Sequence, residues 1–354
     1  MADGSAAGAP AKGGESVPTM EHVAVAWDER VLASHSLPHF MQSTTWAGIR
    51  EGGPWRASRR GLGTGAELPA LAFLREAEGF GILEHFPRVS GIAPADVASI
   101  TDRIREERGS TFATKIEVHQ ARDPALEAAF LANGWLPTRA SQYRYGVVVD
   151  TSKCEEEILA SMRKRARSEI RAGERNGVAV ERVELTAEHR RLMLALVETT
   201  AARSGAYFRP AEYLERVWSR FTADDRGRLY FAWHDGAAVA GAFIAIYGTT
   251  AWFKDGGSTR DQPQLMASRL LQWAVIRELA AAGIRRYDLG HVPPPGDPDA
   301  PGQGVLTFKS AFAPDVTEYL PAFHLGHEPQ AEQWRRDESA FVERHLSRTG
   351  EYWY

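Results

Sequence analysis

Residues 229–255 read LYFAWHDGAAVAGAFIAIYGTTAWFKD, and they contain the clearest structural signal in the chain. β-Branched and aromatic residues are frequent in each apolar run, as is typical of strands. The Asp235-Gly236 pair between the first two runs has the composition of a two-residue hairpin turn. The stretch therefore predicts a strand, a tight turn, a long strand and a third strand.

Helices are predicted on both sides of these strands. Residues 187–203 and 210–222 precede them, and residues 265–282 follow as an amphipathic helix closed by Gly283. Strand 284–290 comes next. The first half of the chain repeats the order of helix, strands, helix and strand, in segments 24–34, 38–52, 55–63, 67–75, 80–86, 94–109, 111–119, 123–135 and 144–150.

This repeated order predicts an α+β fold with two tandem GNAT-like (acyl-CoA N-acyltransferase-like) domains, each around a mixed central sheet. The length agrees, because 354 residues exceed what one hydrophobic core usually holds. We expect residues 20–150 plus 317–354 to form domain 1, with the aromatic C-terminal stretch packed back onto it, and residues 151–316 to form domain 2. Residues 1–19 have no apolar core and predict a disordered leader.

Composition argues against several classes of protein. The net charge of −4 is unlike that of a strongly basic nucleic-acid binder, although a local basic patch stays possible. The one cysteine, Cys154, cannot form an internal disulfide, and its acidic neighbours predict a raised thiol pKa and an unreactive thiol. No run approaches the roughly 20 apolar residues of a membrane span, so we expect a cytoplasmic protein.

A long basic helix is predicted over residues 152–177. Ser152 and Glu155 have the spacing of a capping box, which places the helix start there. Such a concentration of positive charge in an acidic chain favours a phosphate-rich partner, but a solvated helix face explains it too. Four basic residues share one face by helical spacing: Lys164, Arg167, Arg171 and Arg175.

Two other motifs carry less weight. RRGLGTGA at residues 59–66 matches R-x-x-G-x-G, the loop with which acetyl-CoA-dependent acyltransferases bind a pyrophosphate. A strand-like run follows it where a helix N-terminus would be needed, so a glycine-rich hairpin turn is the preferred interpretation. His35 and His39 lack a third ligand at suitable spacing, and no metal site is predicted.

Two short stretches hold cations in apolar or aromatic surroundings. Residues 306–315, LTFKSAFAPD, place Lys309 in an F-K-x-x-F frame, whereas most lysines lie on solvated surfaces. Arg209 precedes Pro210, which favours an extended backbone before a helix, and Tyr213 follows one turn into that helix. An anion site at the helix start and a capped surface helix both fit this spacing.

Taken together, these stretches resemble the Fem family of aminoacyl-tRNA-dependent peptidyltransferases. Four blocks match in order: the basic helix ending in ERNGV; ARSGAYFRPAEYL; AWFKDGGS followed by a helix containing LLQWAVI; and YDLGH followed by LTFKSAF. A fifth block, MQSTTWAGIRE, resembles the family's Q-S-x-x-W stretch. The resemblance covers residues 38–320 and, because no coiled-coil arm is inserted, points to the armless members.

The resemblance implies roles for individual residues. Lys309 is placed near the reacting ester, where a fixed cation stabilises an oxyanion or clamps the terminal phosphate. Glu117 falls near an acidic position beside the acceptor amine, either as proton acceptor or as a positioning group if the substrate itself moves the proton. Arg209 and Tyr213 match phosphate-binding residues, and Arg50 replaces a phosphate-binding lysine.

Other positions depart from the family pattern or complete it. Asp255 stands where a substrate-contacting tyrosine is expected, and a carboxylate there attracts an ammonium and repels a phosphate. His291 replaces a glycine, as a site residue or a loop anchor. Phe308 and Trp46 belong to matched motifs and are expected to bind substrate. The proline-rich loop 293–304 is a candidate lid.

The implied reaction is transfer of an amino acid from aminoacyl-tRNA to an amine, with formation of an amide bond. The acceptor is either a peptidoglycan precursor (a muramyl peptide) or a small molecule such as an antibiotic intermediate. Aminoacyl-tRNA is the co-substrate, and no further cofactor is expected because the ester is already activated. Two alternatives stay open: an acyl-CoA-dependent N-acyltransferase of the same fold, and a non-catalytic RNA- or nucleotide-binding module.

Overall fold

The computed structural model describes residues 20–63, 68–204, 207–259 and 261–354. No helix in these ranges is both long and apolar enough to cross a bilayer. The described helices are α1 (Met20–Ser34), α2 (Thr44–Glu51), α3 (Val97–Glu106), α4 (Pro124–Ala132), α5 (Glu155–Ser161), α6 (Lys164–Arg175), α7 (Ala187–Ser204), α8 (Ala211–Ala223), α9 (Ala267–Ala281), α10 (Gln303–Lys309) and α11 (Gln330–Thr349). The predicted leader, residues 1–19, lies outside the described residues.

The strands form two mixed sheets. The first has the order β1-β2-β3-β4-β13-β5 and the second the order β12-β6-β11-β10-β9-β8-β7. The strands are β1 (Arg56–Leu62), β2 (Leu68–Ala77), β3 (Gly81–Val89), β4 (Thr111–Val118), β5 (Leu136–Thr138), β6 (Tyr145–Asp150), β7 (Ala179–Val183), β8 (Gly227–His234), β9 (Ala237–Tyr247), β10 (Thr250–Ser258), β11 (Arg286–His291), β12 (Val316–Glu318) and β13 (Ala322–Gly326).

Each sheet contains one parallel pair among antiparallel neighbours, β3 with β4 and β10 with β11. The three strands that the opening stretch predicts are β8, β9 and β10, and Asp235 and Gly236 adopt positive φ in the turn between the first two. The predicted α+β fold with tandem GNAT-like domains is therefore confirmed. The RRGLGTGA motif joins β1 to β2, which pair antiparallel up to Leu62 and Leu68, and its residues 64–66 lie outside the described residues.

Sheet membership differs from the expected boundaries at two strands, β6 and β12. Strand β12 (Val316–Glu318) lies in the second sheet, whereas we expected residues 317–354 to belong to the first domain. Strand β6 lies between β11 and β12 in the second sheet, whereas we expected residues 20–150 to belong to the first domain. Val147 and Val149 are fully or almost fully buried there, so apolar burial draws this strand to the second sheet. The chain returns to the first sheet with β13, which pairs with β4 and β5.

The predicted helix over residues 152–177 is wrong in detail, because the chain forms two helices with a break at residues 162–163. The Arg163 N–H donates to Ala311 O at 3.0 Å instead of continuing the helix. The Arg167 guanidinium donates to the carbonyls of Leu159, Ala160 and Met162, which closes the end of α5. Helix α5 begins after Cys154, and the expected capping box at Ser152 is absent.

The C-terminal region packs against the first sheet. Helix α11 places Glu338 against Lys115 of β4 in a buried ion pair, with each side chain 1% exposed. Trp334, Trp353 and Tyr354 are buried in a hydrophobic core that also contains Trp46 from α2, together with Trp218 and Trp252 of the second half. This shared core fixes the two sheets against each other, and the candidate site lies at their junction.

Candidate active site

The second sheet opens where its parallel strands separate. Strands β10 and β11 pair only from Thr250 with Arg286 to Trp252 with Asp288. Beyond that point β10 contains a bulge between Phe253 and Asp255, and the pairing of β11 with β6 becomes irregular before His291. A separation of neighbouring strands exposes backbone and side chains within a sheet, which makes room for a ligand.

Two cavities meet at this opening. The smaller, of about 340 Å³, lies between the two sheets and is lined by residues from both. The larger, of about 830 Å³, lies on the side of the second sheet and is lined by α6, α9, α10 and β10. Both are lined by Lys309, Lys254 and Phe253. An arrangement of this kind suits a reaction between two substrates that enter from different sides.

Lys309 is the last residue of α10, and its Nζ donates to the backbone O of His291 at 2.9 Å. Burial lowers the pKa of Lys309 to about 8, and the Asp288 carboxylate opposes this shift. Asp288 is itself held by the Tyr143 hydroxyl at 2.8 Å and the Gly290 N–H at 2.7 Å. The structure therefore places a buried lysine, mostly protonated at neutral pH, at the junction of the two cavities.

Lys254 is a cation that the sequence motifs do not single out. It is the bulged residue of β10, and its Nζ lies 3.3 Å from Asp255 Oδ1. Asp255 Oδ2 accepts a hydrogen bond from Trp218 Nε1 at 2.8 Å. Asp255, expected to contact substrate, lines the larger cavity with both carboxylate oxygens bound to neighbouring side chains. The bulge places Lys254 in the lining of both cavities. The sequence K-D-G-G contains no signal that predicts a bulge.

Arg50 and Tyr213 line the smaller cavity as expected. The Arg50 guanidinium stacks over the Trp55 ring at 4.6 Å from its centroid. Burial lowers the pKa of Arg50 to about 10; Tyr213 opposes the shift, and the positive charge of Arg209 adds to it. Across the described residues no carboxylate lies within ion-pair distance of Arg50. A buried guanidinium without an acidic partner is typical of an anion-binding site.

Arg209 lines the same cavity but has other partners. Its Nη1 donates to Tyr352 O at 3.0 Å and its Nη2 donates to Tyr354 O. The guanidinium also stacks against the rings of Tyr213 and Tyr352, at 4.8 and 5.0 Å from their centroids. The structure therefore assigns Arg209 a role in holding residues 352–354, which the sequence did not suggest.

Glu117 is buried in β4 and lines neither cavity among the described residues. Its oxygens accept hydrogen bonds from the Ser141 and Gln142 N–H groups at 3.1 and 2.9 Å, and from the Ser141 hydroxyl. Burial favours the neutral acid, but the hydrogen bond with His85 and the charge of Lys115 outweigh it and hold the pKa of Glu117 below its usual range. A carboxylate this well bound positions the loop at Ser141 and is a poor proton acceptor.

The other expected residues lie around the two cavities. His291 and Trp46 line the smaller cavity, and burial lowers the pKa of His291, with Lys309 adding to the shift. His291 also supplies the carbonyl that anchors Lys309, so it acts as a loop anchor at least through its backbone. Phe308 lines the larger cavity, where the Arg269 guanidinium lies 4.4 Å from its ring centroid.

The basic face of α6 only partly matches the expected tRNA-binding set. Lys164, Arg171 and Arg175 are exposed, whereas Arg167 is committed to the carbonyls at the end of α5. Arg165, which the spacing rule left out, lines the larger cavity and pairs with Glu169 at 2.7 Å. No cluster of histidine, cysteine or acidic side chains that could hold a metal occurs within the part of the chain that the structure describes.

Comparisons with known proteins agree with the resemblance drawn from the motifs. A family model described as an acetyltransferase (GNAT) domain matches residues 160–309. A UDP-N-acetylmuramoylpentapeptide-lysine N(6)-alanyltransferase of Weissella viridescens is 28% identical over 127 residues. That match spans 34% of this chain and 35% of the Weissella protein, about a third of its length.

Solved structures extend the likeness to nearly the whole fold. A crystal structure of FemX has a TM-score of 0.77 at 17% identity and covers 88% of this chain and 97% of its own. The C-terminal domain of a lysylphosphatidylglycerol synthetase from Agrobacterium fabrum has a TM-score of 0.54 at 15% identity, over 90% of this chain and 96% of its own. Both structures are less than 25% identical to this chain, so the likeness shows a shared fold.

Proposed function

We propose that this chain, which has the motifs and the fold of Fem-type transferases, moves an aminoacyl group from a charged tRNA to the amine of an acceptor. The main support is the position of Lys309, which lines both cavities at the point where they meet. The donor enters the larger cavity and the acceptor the smaller one. The ester carbon and the attacking nitrogen then meet beside the lysine ammonium.

The chemistry requires little beyond positioning and one cation. The amine nitrogen attacks the carbonyl carbon of the aminoacyl ester, and the negative charge that develops on the carbonyl oxygen is stabilised by the Lys309 ammonium. This attack forms the C–N bond, and collapse of the tetrahedral intermediate re-forms the carbonyl and breaks the C–O bond to the ribose. The proton lost by the amine passes to the departing ribose oxygen, since Glu117 is occupied by its own hydrogen bonds.

On the donor side, α6 suits the approach of a nucleic acid. Lys164, Arg171 and Arg175 are exposed along the helix, and Arg165 of the same helix lines the larger cavity. We assign the exposed cations to tRNA phosphates and the cavity to the terminal aminoacylated nucleotide. Because charged tRNA is the donor, the reaction belongs in the cytoplasm and needs neither ATP nor a metal ion.

A donor screen tests this proposal. Purified protein is incubated with total tRNA charged with radiolabelled amino acids, together with a muramyl-peptide precursor and a panel of small amines, and products are identified by mass spectrometry. We expect a labelled amide that disappears when the charged tRNA is first treated with ribonuclease. Failure to form any amide from charged tRNA with these acceptors would contradict the proposal.

One observation favours a second candidate function. The family model that matches residues 160–309 is described as an acetyltransferase (GNAT) domain. The usual acyl donor of an acetyltransferase is a thioester such as acetyl-CoA. An acyl-CoA-dependent N-acyltransferase would form its amide without RNA. The same acceptor panel is tested with acetyl-CoA and longer acyl-CoA donors. Amide formation from acyl-CoA that continues after ribonuclease treatment indicates the second function, whereas amide formation that ribonuclease abolishes indicates the tRNA-dependent one.

A further inference from the structure

The smaller cavity has a one-sided charge. Among the described residues that line it are four cations, Arg50, Arg209, Lys254 and Lys309, and no aspartate or glutamate. Lys254 pairs with Asp255, and Arg209 donates to the main-chain oxygens of Tyr352 and Tyr354, of which Tyr354 also lines the cavity. An occupant with a negative charge fits this cavity, and one with only an ammonium group is repelled.

Residues 352–354 cover the part of the cavity next to Arg209. Trp353 and Tyr354 are 1% and 3% exposed, and Tyr354 itself lines the cavity. The Tyr354 hydroxyl donates to Glu338, and the Lys115 Nζ lies 4.1 Å from the Tyr354 ring centroid, so this segment is fixed from the first sheet as well. The two donors that Arg209 would offer to a phosphate are thus bound to backbone carbonyls.

Arg50 is the arginine of this cavity whose guanidinium is left for a ligand. Its guanidinium is stacked on Trp55, contacts Tyr213 and has no ion-pair partner among the described carboxylates. One guanidinium fork binds one carboxylate in a bidentate manner. A diphosphate needs a wider set of donors, and the neighbouring arginine does not provide them.

The size of the cavity leads to the same class of ligand. A volume of about 340 Å³ lies at the low end of the range for small-molecule sites, roughly 300–1,000 Å³. An amino acid or a short peptide fits within it, and a nucleotide-linked muramyl peptide is several times larger.

We infer that the acceptor is a small amine with one carboxylate, an amino acid or short peptide, whose carboxylate binds Arg50 and whose amine faces Lys309. This inference rests on the proposed function and specifies its second substrate. The same positive surroundings favour the neutral form of the amine, which is the nucleophilic form, and so remove the need for a protein base. We do not expect a nucleotide diphosphate to bind Arg209, because the Arg209 guanidinium already donates to the main-chain oxygens of Tyr352 and Tyr354.

Matched acceptor pairs test the inference. Each amino acid or dipeptide is compared with its carboxamide, which differs only at the carboxyl group, and with a UDP-linked muramyl pentapeptide, using charged tRNA as donor. For the best acceptor we expect kcat/KM to be about 10- to 100-fold higher for the carboxylate than for the amide, as for loss of a charge-assisted pair. Arg50→Gln should abolish this preference, mainly through KM, and Arg50→Lys should restore part of it.

Arg277→Gln is the matched control, because Arg277 is exposed and pairs with Glu155 away from both cavities. The preference of this variant for the carboxylate over the carboxamide acceptor should equal that of the unaltered protein. Titration calorimetry of the carboxylate and amide forms without tRNA measures acceptor binding separately from transfer, and thermal melting confirms that the Arg50 variants fold.

The outcomes separate the two claims. Transfer to the muramyl nucleotide but not to small carboxylates, or equal use of carboxylate and amide, overturns the inference and leaves the proposed transferase intact. Arg50-dependent binding of carboxylates without transfer from any charged tRNA overturns the proposed function and supports the binding site.

Discussion

Lys309 is the residue whose substitution is most informative. Replacing it with methionine keeps the length of the side chain and removes the charge that we assign to oxyanion stabilisation. We expect the transfer rate to fall by about 100-fold or more, the usual effect of losing one oxyanion-stabilising donor. Single-turnover transfer from charged tRNA measures the rate. Lys153→Met is the control lysine, since Lys153 is half exposed and pairs only with Asp150.

The pKa of Lys309 has a consequence for the pH profile. Burial lowers it to about 8, so the ammonium is present below that pH and is lost as the pH rises through it. The acceptor amine behaves in the opposite way and becomes nucleophilic as the pH rises. We expect a bell-shaped dependence of kcat on pH, with kcat falling above about pH 8. In Lys309→Arg this fall should move to higher pH. If kcat of Lys309→Arg falls at the same pH as that of the unaltered protein, the loss of activity at high pH comes from another group.

Arg209 gives a prediction about stability. Its guanidinium joins the segment before α8 to residues 352–354 through hydrogen bonds to the main-chain oxygens of Tyr352 and Tyr354. Arg209→Gln should lower the free energy of unfolding by about 2 kcal/mol, as for loss of hydrogen bonds to a charged group. Chemical denaturation measures the effect against Arg277→Gln. An Arg209 variant as stable as the control would mean that the contact with residues 352–354 contributes little.

At the residue level, sequence reasoning found the groups that are fixed by local motifs and missed those fixed by distant partners. Lys309, Arg50 and Tyr213 line the cavities as their motifs indicate. Arg209 is held by Tyr352, which lies 143 positions away. Glu117 binds the backbone at Ser141 and Gln142, a tertiary contact without a signature in the strand TKIEVH.

At the level of the element, helix α6 should set the salt dependence of tRNA binding. Substitution by glutamine of the three exposed cations of the predicted tRNA-binding set removes up to three phosphate contacts (Lys164, Arg171 and Arg175). We expect the slope of log affinity against log salt to become less steep by about 2 to 3, because each contact releases about one counterion. Filter binding across a salt series measures this slope.

Arg167→Gln is the contrasting variant on the same helix. It removes the donor that closes α5 and should lower stability while leaving the salt slope unchanged. If Arg167→Gln reduces the slope of log affinity against log salt as much as each substitution of an exposed cation does, the division of this helix into structural and tRNA-facing cations is wrong.

The elements differ in how far the sequence determines them. Strands β8 to β10 could be predicted, because continuous apolar runs and an Asp-Gly turn act locally. The break at residues 162–163 could not, since it depends on a hydrogen bond from Arg163 to Ala311. The bulge at Lys254 arises from strand pairing in three dimensions, and it is what turns a second lysine towards the site.

At the level of the whole molecule, two cavities that meet at one lysine indicate direct transfer between two bound substrates. Cys154 is exposed and lines neither cavity, and Ser141 of the smaller cavity hydrogen-bonds Glu117. Ser258 and Ser268 line the larger cavity, but among the described residues no histidine or carboxylate is hydrogen-bonded to either hydroxyl to activate it as a nucleophile. The aminoacyl group should therefore pass from ester to amine in one step, without an intermediate bound to the protein.

The most direct test is a quench experiment with the donor alone. The protein is mixed with tRNA that carries a radiolabelled aminoacyl group, first without and then with acceptor, and label on protein, tRNA and small molecules is separated after denaturation. We expect no label on the protein in the absence of acceptor, and labelled amide when acceptor is added. A stable aminoacyl-protein, or label that stays on the tRNA after acceptor is added, would contradict direct transfer at Lys309.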